Sequence, residues 1–294
     1  MKSLDPTRIG GIILALALCL ALSACSAIKL GYNGLPTLAY WWLDGYVDFS
    51  DEQSPRVRDE LARLLAWHRQ QELPHFGTLL ARMEQMAAGE ISAQQACEVV
   101  AGVRDRLHAL AQRAEPGVTA LAASLTGREL RHMARKFRRN NERFEQDWVK
   151  PPPAEWQEKR FEKMLERMET IYGRLEEPQR AVLRQRIAQS AYDPARALGE
   201  MQRRQHDLHD VLRRLTASGG VPEPEGRHLV RGWLADAEVS PDPAHRAYQD
   251  TLLQEGCATF SLVHQSTTAA QREQAVRRLR AYQRDVRDLM AQQP

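Results

Sequence analysis

From Ser54 onward, apolar side chains return at every third or fourth position and no stretch alternates as a strand would. That spacing leaves little choice of fold, since each segment can bury its stripe only as a helix. Val57, Leu61, Leu64, Leu65 and His68 share one face behind Ser54-Pro55, which reads as an N-cap with proline at the first helical position. Pro74 predicts a kink before Phe76, Leu79, Leu80, Met83 and Met86 resume the stripe up to Gly89. Ser92 with Gln95 and Thr126 with Glu129 are capping boxes opening two further helices, and Pro116-Gly117 predicts a break in the first. The second runs to Trp148, where Pro151-Pro152-Pro153 stops it; the next carries Phe161, Met164, Met168 and Tyr172. So short a connection predicts an antiparallel hairpin. Helices over 178–190 and 194–218, a loop at 219–222, a short helix around Trp233, and two helices carrying Cys257 and Leu279 complete the pattern. The expectation is an all-α, multi-helix bundle of about eight or nine helices with no fixed-period repeat.

The first residues carry an address. Lys2 and Arg8 precede an uncharged run from Ile9 to Leu22, the order of an export signal. The run is short for a bilayer-spanning helix, which needs about 20 apolar residues. Leu22-Ser23-Ala24-Cys25 resembles the lipobox of bacterial lipoproteins, in which the cysteine thiol takes the diacylglyceryl group and small neighbours admit the peptidase. The resemblance implies cleavage before Cys25 and lipidation at Cys25; the alternatives are an ordinary cleaved signal and an uncleaved anchor. Ser26 in place of aspartate implies, by likeness to the enteric sorting rule, transfer to the outer membrane with the body in the periplasm. The chain thus divides into a signal peptide (1–24), a lipidated N-terminus with an aromatic tether (25–50) and a helical domain (51–294).

Charge and cysteines narrow the setting. With Lys2, Arg8 and Asp5 removed, 41 basic and 38 acidic residues become 39 and 37, which exerts no global pull on nucleic acid. Of four cysteines, Cys19 leaves with the signal and Cys25 takes lipid, so Cys97 and Cys257 remain. An oxidising periplasm favours a disulfide between them; burial of two reduced thiols on apolar helix faces is the alternative.

The pieces YNGLPTLAYWWLDGYVDF, WHRQQELPHF, AQQACEVV, RRQHDLHDVLRRL and EGCATFSLVHQSTTAAQR resemble the bacterial lipoprotein family catalogued as domain of unknown function six-two-seven-nine. The resemblance runs nearly end to end. It implies a helical exported lipoprotein with no assigned reaction, and it sets Cys97 and Cys257 in family-like motifs without pairing them.

Two segments invite a functional reading. Tyr40-Trp41-Trp42-Leu43-Asp44-Gly45-Tyr46-Val47-Asp48-Phe49 could rest its rings at the headgroup level of a membrane. The favoured reading is that these rings pin the N-terminus to the core, one tryptophan buried and the other at a rim. Arg128, Arg131, Arg135, Lys136, Arg138, Arg139 and Arg143 outnumber Glu129 and Glu142, and could meet lipid phosphates. The favoured reading is neutralisation across the hairpin by the glutamates between Glu155 and Glu177.

Metal chemistry fits poorly. Glu72/His75, Glu129/His132 and Glu225/His228 have the spacing of di-metal bundles, but Pro74 distorts the first, Glu129 and His132 should point outward, and the third sits at a helix start. His206, Asp207, His209 and Asp210 lie among arginines. No nucleophile elbow, zinc-protease motif or phosphate loop is present, so no catalytic residue, metal or cofactor is expected. Leu175-Glu176-Glu177-Pro178-Gln179 and Ile91-Ser92-Ala93-Gln94-Gln95 faintly resemble boxes of small periplasmic chaperones, although helix capping asks for the same residues. The expected role is a non-enzymatic binding or structural module of the cell envelope. Its partners would be the membrane, through the N-terminal lipid, and an unidentified envelope protein, lipid or glycan. An ATP-independent periplasmic chaperone is the alternative.

Overall fold

A computed structural model of the chain describes residues 28–217 and 221–292; residues 1–24, expected to be a signal peptide, and Cys25 lie outside them. Among the described residues there are eleven α-helices and no strand. The class is all-α, but the count exceeds the expected eight or nine for two reasons. The aromatic segment read as a tether is itself a helix, and the first long helix is divided in two.

That aromatic helix, α1 (Leu35–Val47), closes on Asp48, whose φ of 62° ends the helical path while its N–H still donates to Asp44 O. α2 (Gln53–Trp67) follows; its N-cap is Glu52 and not Ser54, and no side chain caps it, but the turn before it is closed by Ser50 and Gln53. Ser50 N–H donates to Gln53 Oε1 (2.9 Å) and Gln53 N–H to Ser50 Oγ (3.3 Å), a reciprocal pair available one turn upstream of the expected cap. The kink at Pro74 takes the form of a π-helical turn, His68–Glu72, before α3 (Leu73–Ala87). Widening the preceding turn is one way to accommodate a proline that has no N–H to give and a ring to place.

α4 (Ala93–Ala123) runs 31 residues, about 46 Å at the α-helical rise, straight through Pro116. The expected break does not occur because the helix is held beside the proline. Glu115 points inward and accepts bonds from Arg227 Nε (3.0 Å) and Nη2 (3.1 Å) of a neighbouring helix. α5 (Gly127–Phe144) ends in a second π turn, Glu145–Val149, and α6 (Pro153–Tyr172) begins on the last of the three prolines. The expected hairpin does not form: α5 packs on α1 and α8 (Pro194–Leu215), whereas α6 packs on α7 (Glu177–Ala188) and α11 (Ala269–Ala291). The π turn and the prolines redirect the chain from one half of the molecule to the other. α9 (Glu223–Glu238) and α10 (Pro243–Gln265) lie along α4.

Two hydrophobic cores result. One gathers Tyr40, Val47, Phe49, Val57, Leu130, Met133, Leu212 and Val230; the other gathers Phe161, Tyr172, Leu175, Leu183, Ile187, Val263, Ala275 and Leu279. α4 spans both halves, placing Ala122 in the first core and Ala96 beside Cys257 and Ile91 near the second. Each large side chain buried in this way stabilises the fold by roughly 1.5–3 kcal/mol. Close approach needs small residues at α9, where a Cβ on Gly226 would come 3.2 Å from Leu215 Cδ2.

Candidate functional site

The aromatic helix is two-faced in an unusual way. Tyr40 and Val47 turn inward with Leu43 beside them, while Leu35, Leu38, Trp41 and Trp42 are 46, 59, 61 and 63% exposed. Successive residues in a helix diverge by about 100°. With Tyr40 inward, Trp41 and Trp42 must both swing to the far side, which overturns the reading of one buried ring and one at a rim. Asp44 is the only charged residue in α1. The outward face is therefore a bare apolar stripe continuing from Ile28 and Leu30, both exposed as well.

Cationic groups border the stripe on both sides. On one edge the Arg58 guanidinium lies 3.5 Å over the Tyr40 ring and 5.7 Å from the Trp41 ring. On the other, Trp42 packs on Tyr46 (4.8 Å between centroids), and Lys136 Nζ of α5 stands 5.4 Å over Tyr46. The helix itself is fixed by its polar atoms. Tyr40 donates to Ser54 Oγ (2.9 Å), Asn140 to Tyr46 OH (2.8 Å), and Arg128 to Asp48 Oδ2 (2.5 Å) and Asp48 O (2.7 Å).

The residues ahead of α1 are fastened too. Residues 28–33 are helical. Lys29 donates to Asp288 of α11 (2.7 Å) and Asn33 to Gln292, the residue that ends it (3.0 Å). Asn33 also accepts from Arg69 (2.6 Å), and Tyr32 OH pairs with His68 Nδ1 (3.0 Å) at the first π turn.

The basic cluster is not answered by the acidic helix. Arg128 pairs with Asp48 and Glu129, and Arg138 with Glu142. Among the described residues Arg131, Arg135, Lys136, Arg139 and Arg143 have no carboxylate within 4.0 Å. The α6 glutamates instead serve α7, through Glu158 with Arg184 and Glu169 with Arg180.

The other candidate residues do structural work. Glu129 is buried, not outward, with Thr126 and Arg128 bonded to its carboxylate, so it caps α5. Glu72 is buried while His75 is exposed, Glu225 pairs with Arg214, and His206 with Asp210 on the surface. Among the described residues no group of three or more His, Cys, Asp or Glu side chains could hold a metal ion. Gln95 and Gln179 close capping boxes with Ser92 and Glu176, and Gln179 is buried against Gln271. Cys97 of α4 and Cys257 of α10 are bonded, with Cα atoms 5.4 Å apart.

Two features escaped sequence reasoning. The carboxylates of buried Glu115 and half-buried Glu200 are each gripped by two arginines, Arg227 with Arg231 and Arg203 with Arg204. Their hydrogen bonds hold both below the ordinary carboxylate range, Glu200 at about 2. A cavity of about 350 Å³ beside the disulfide is lined largely by apolar residues such as Met86, Ile91, Val99, Leu252 and Phe260.

The profile of the Family of unknown function (DUF6279) matches residues 45–222, more than half of the chain. The chain belongs to that family. The DUF6279 span takes in the end of α1, all of α2 to α8, the basic helix and Cys97. It stops short of the end-to-end reach expected from EGCATFSLVHQSTTAAQR, leaving Cys257 and helices α9 to α11 outside. No curated protein and no solved structure matches the chain.

Proposed function

We propose that this DUF6279 member is an outer-membrane-anchored lipoprotein whose helical body serves as a non-enzymatic binding or structural module of the cell envelope. The observation that carries the reading is the outward face of α1, apolar and aromatic, which lies just beyond the cysteine of a lipobox-like sequence. A body tied by lipid at Cys25 would bring that face to the membrane first, at the depth that tryptophan favours. Three acyl chains at about 0.8 kcal/mol per buried methylene make such a tether permanent on the scale of a cell's life.

Metabolic labelling with radioactive palmitate tests the tether. The chain is expected to carry label, to fractionate with outer membranes, and to lose the label in Cys25→Ser. An unlabelled chain recovered with the soluble fraction would refute the proposal.

A further inference from the structure

We infer that the outward face of α1, together with the adjoining edge of α5, is a second membrane contact that seats the body on an anionic leaflet. The inference rests on the lipoprotein reading for its location, but its own support is geometric.

The first observation is reach. Lys29 is held on α11 by Asp288, and only four peptide units separate it from Cys25. That chain extends at most about 14 Å. A lipid in the leaflet at Cys25 therefore leaves no room for the body to stand away, and the residues that follow meet the headgroups. Those residues carry the bare stripe of Leu35, Leu38, Trp41 and Trp42.

Charge complementarity is the second. Lys136 marks the edge of α5 that faces α1, because it reaches Tyr46. Arg139 and Arg143, three and seven positions on, return to that edge, and neither has a carboxylate partner among the described residues. Arg58 stands on the opposite border of the stripe. An apolar centre between two cationic margins matches the section of a leaflet at its surface, where acyl chains lie just beneath phosphates. A protein partner would have to bring both an apolar groove and flanking acids. A phosphate-bearing leaflet already has that layout and is within reach.

Purified full-length protein, reconstituted in phosphatidylcholine vesicles with and without phosphatidylglycerol, provides the test. Lipids with brominated acyl chains quench only tryptophans close to the bilayer. With phosphatidylglycerol present, quenching is expected, and Trp41→Phe/Trp42→Phe should remove most of it. Both substitutions fall on exposed rings, so folding is kept. Lys136→Glu/Arg139→Glu/Arg143→Glu should lower quenching at least about twofold and abolish its dependence on phosphatidylglycerol. Each cationic side chain near an anionic surface is worth about fivefold in partitioning. Quenching that survives loss of both tryptophans, or that ignores phosphatidylglycerol and charge reversal alike, overturns the inference. So does absence of quenching, whatever the state of Cys25. A mass spectrum of the same preparation separates the two readings. Unmodified Cys25 with quenching intact supports the seating and sinks the lipid anchor, whereas a lipidated chain without quenching does the opposite.

Discussion

His264 shows how a single side chain can tie stability to pH. It is fully buried in α10, and its Nε2 lies 2.8 Å from Gly89 O, which can only accept, so that nitrogen carries the proton. Nδ1 then accepts from Tyr172 OH at 2.8 Å. Burial is the main force pushing its pKa below 6.5, with the bond to Gly89 opposing and Arg272 assisting. His68 is also depressed, by burial foremost. For a histidine whose folded pKa lies below its unfolded value, the unfolded chain binds the proton more readily. The stabilising contribution is complete above pH 6.5 and declines as pH falls toward the folded value. The unfolding temperature is therefore expected to fall on mild acidification. His264→Gln, which can still donate to Gly89 and accept from Tyr172, should flatten that decline; equal pH slopes for both proteins would contradict the assignment. Glu200 acts in a lower window, its contribution present above about 4.5 and lost as pH approaches 2. None of this was visible in the sequence, where His264 is one polar residue in an apolar stripe. Its partners come from Gly89 and Tyr172, far away along the chain.

At the scale of elements, what is local was legible and what depends on neighbours was not. The boxes at Ser92 and Thr126 formed as read because cap and third residue touch within one turn. The prolines misled in both directions. Pro116 was expected to break α4, yet the Glu115–Arg227 pair clamps the helix through it. The prolines at 151–153 were expected to make a hairpin, yet they turn the chain from one core to the other. Pro116 still leaves Gln112 O without its helical donor. Pro116→Ala would restore it, and is expected to stabilise the protein by about 1–3 kcal/mol, less whatever the stiffer unfolded chain had contributed. Thermal unfolding should shift upward by about 2–4 °C for each kcal/mol. A downward shift would mean that the proline ring packs better than the missing bond costs.

Across the whole molecule, the Cys97–Cys257 bond joins α4 to α10 over a separation of 160 residues. In the chain-entropy model a loop of that length stabilises by about 5 kcal/mol, so reduction, or Cys97→Ser with Cys257→Ser, should lower the unfolding temperature by about 10 °C or more. No shift on reduction would show that the two helices hold each other without the bond. The all-α class was readable throughout because it rests on periodicity, a property of each segment alone. The candidate face was half readable. The unusual composition of residues 40–49 stood out, but which way its rings point depended on Tyr40 entering the core, and the fate of the basic helix depended on which helix lay opposite.

The grip of Asp288 and Gln292 on Lys29 and Asn33 joins the two extremities of the folded body. Residues 28–33 thus wait for the far end of α11, made 259 residues later, before their footing is complete. Under the proposed lipid anchor, attachment at Cys25 would precede contact with α11, so a copy cut short before Asp288 is expected to be loosely seated and open to proteolysis.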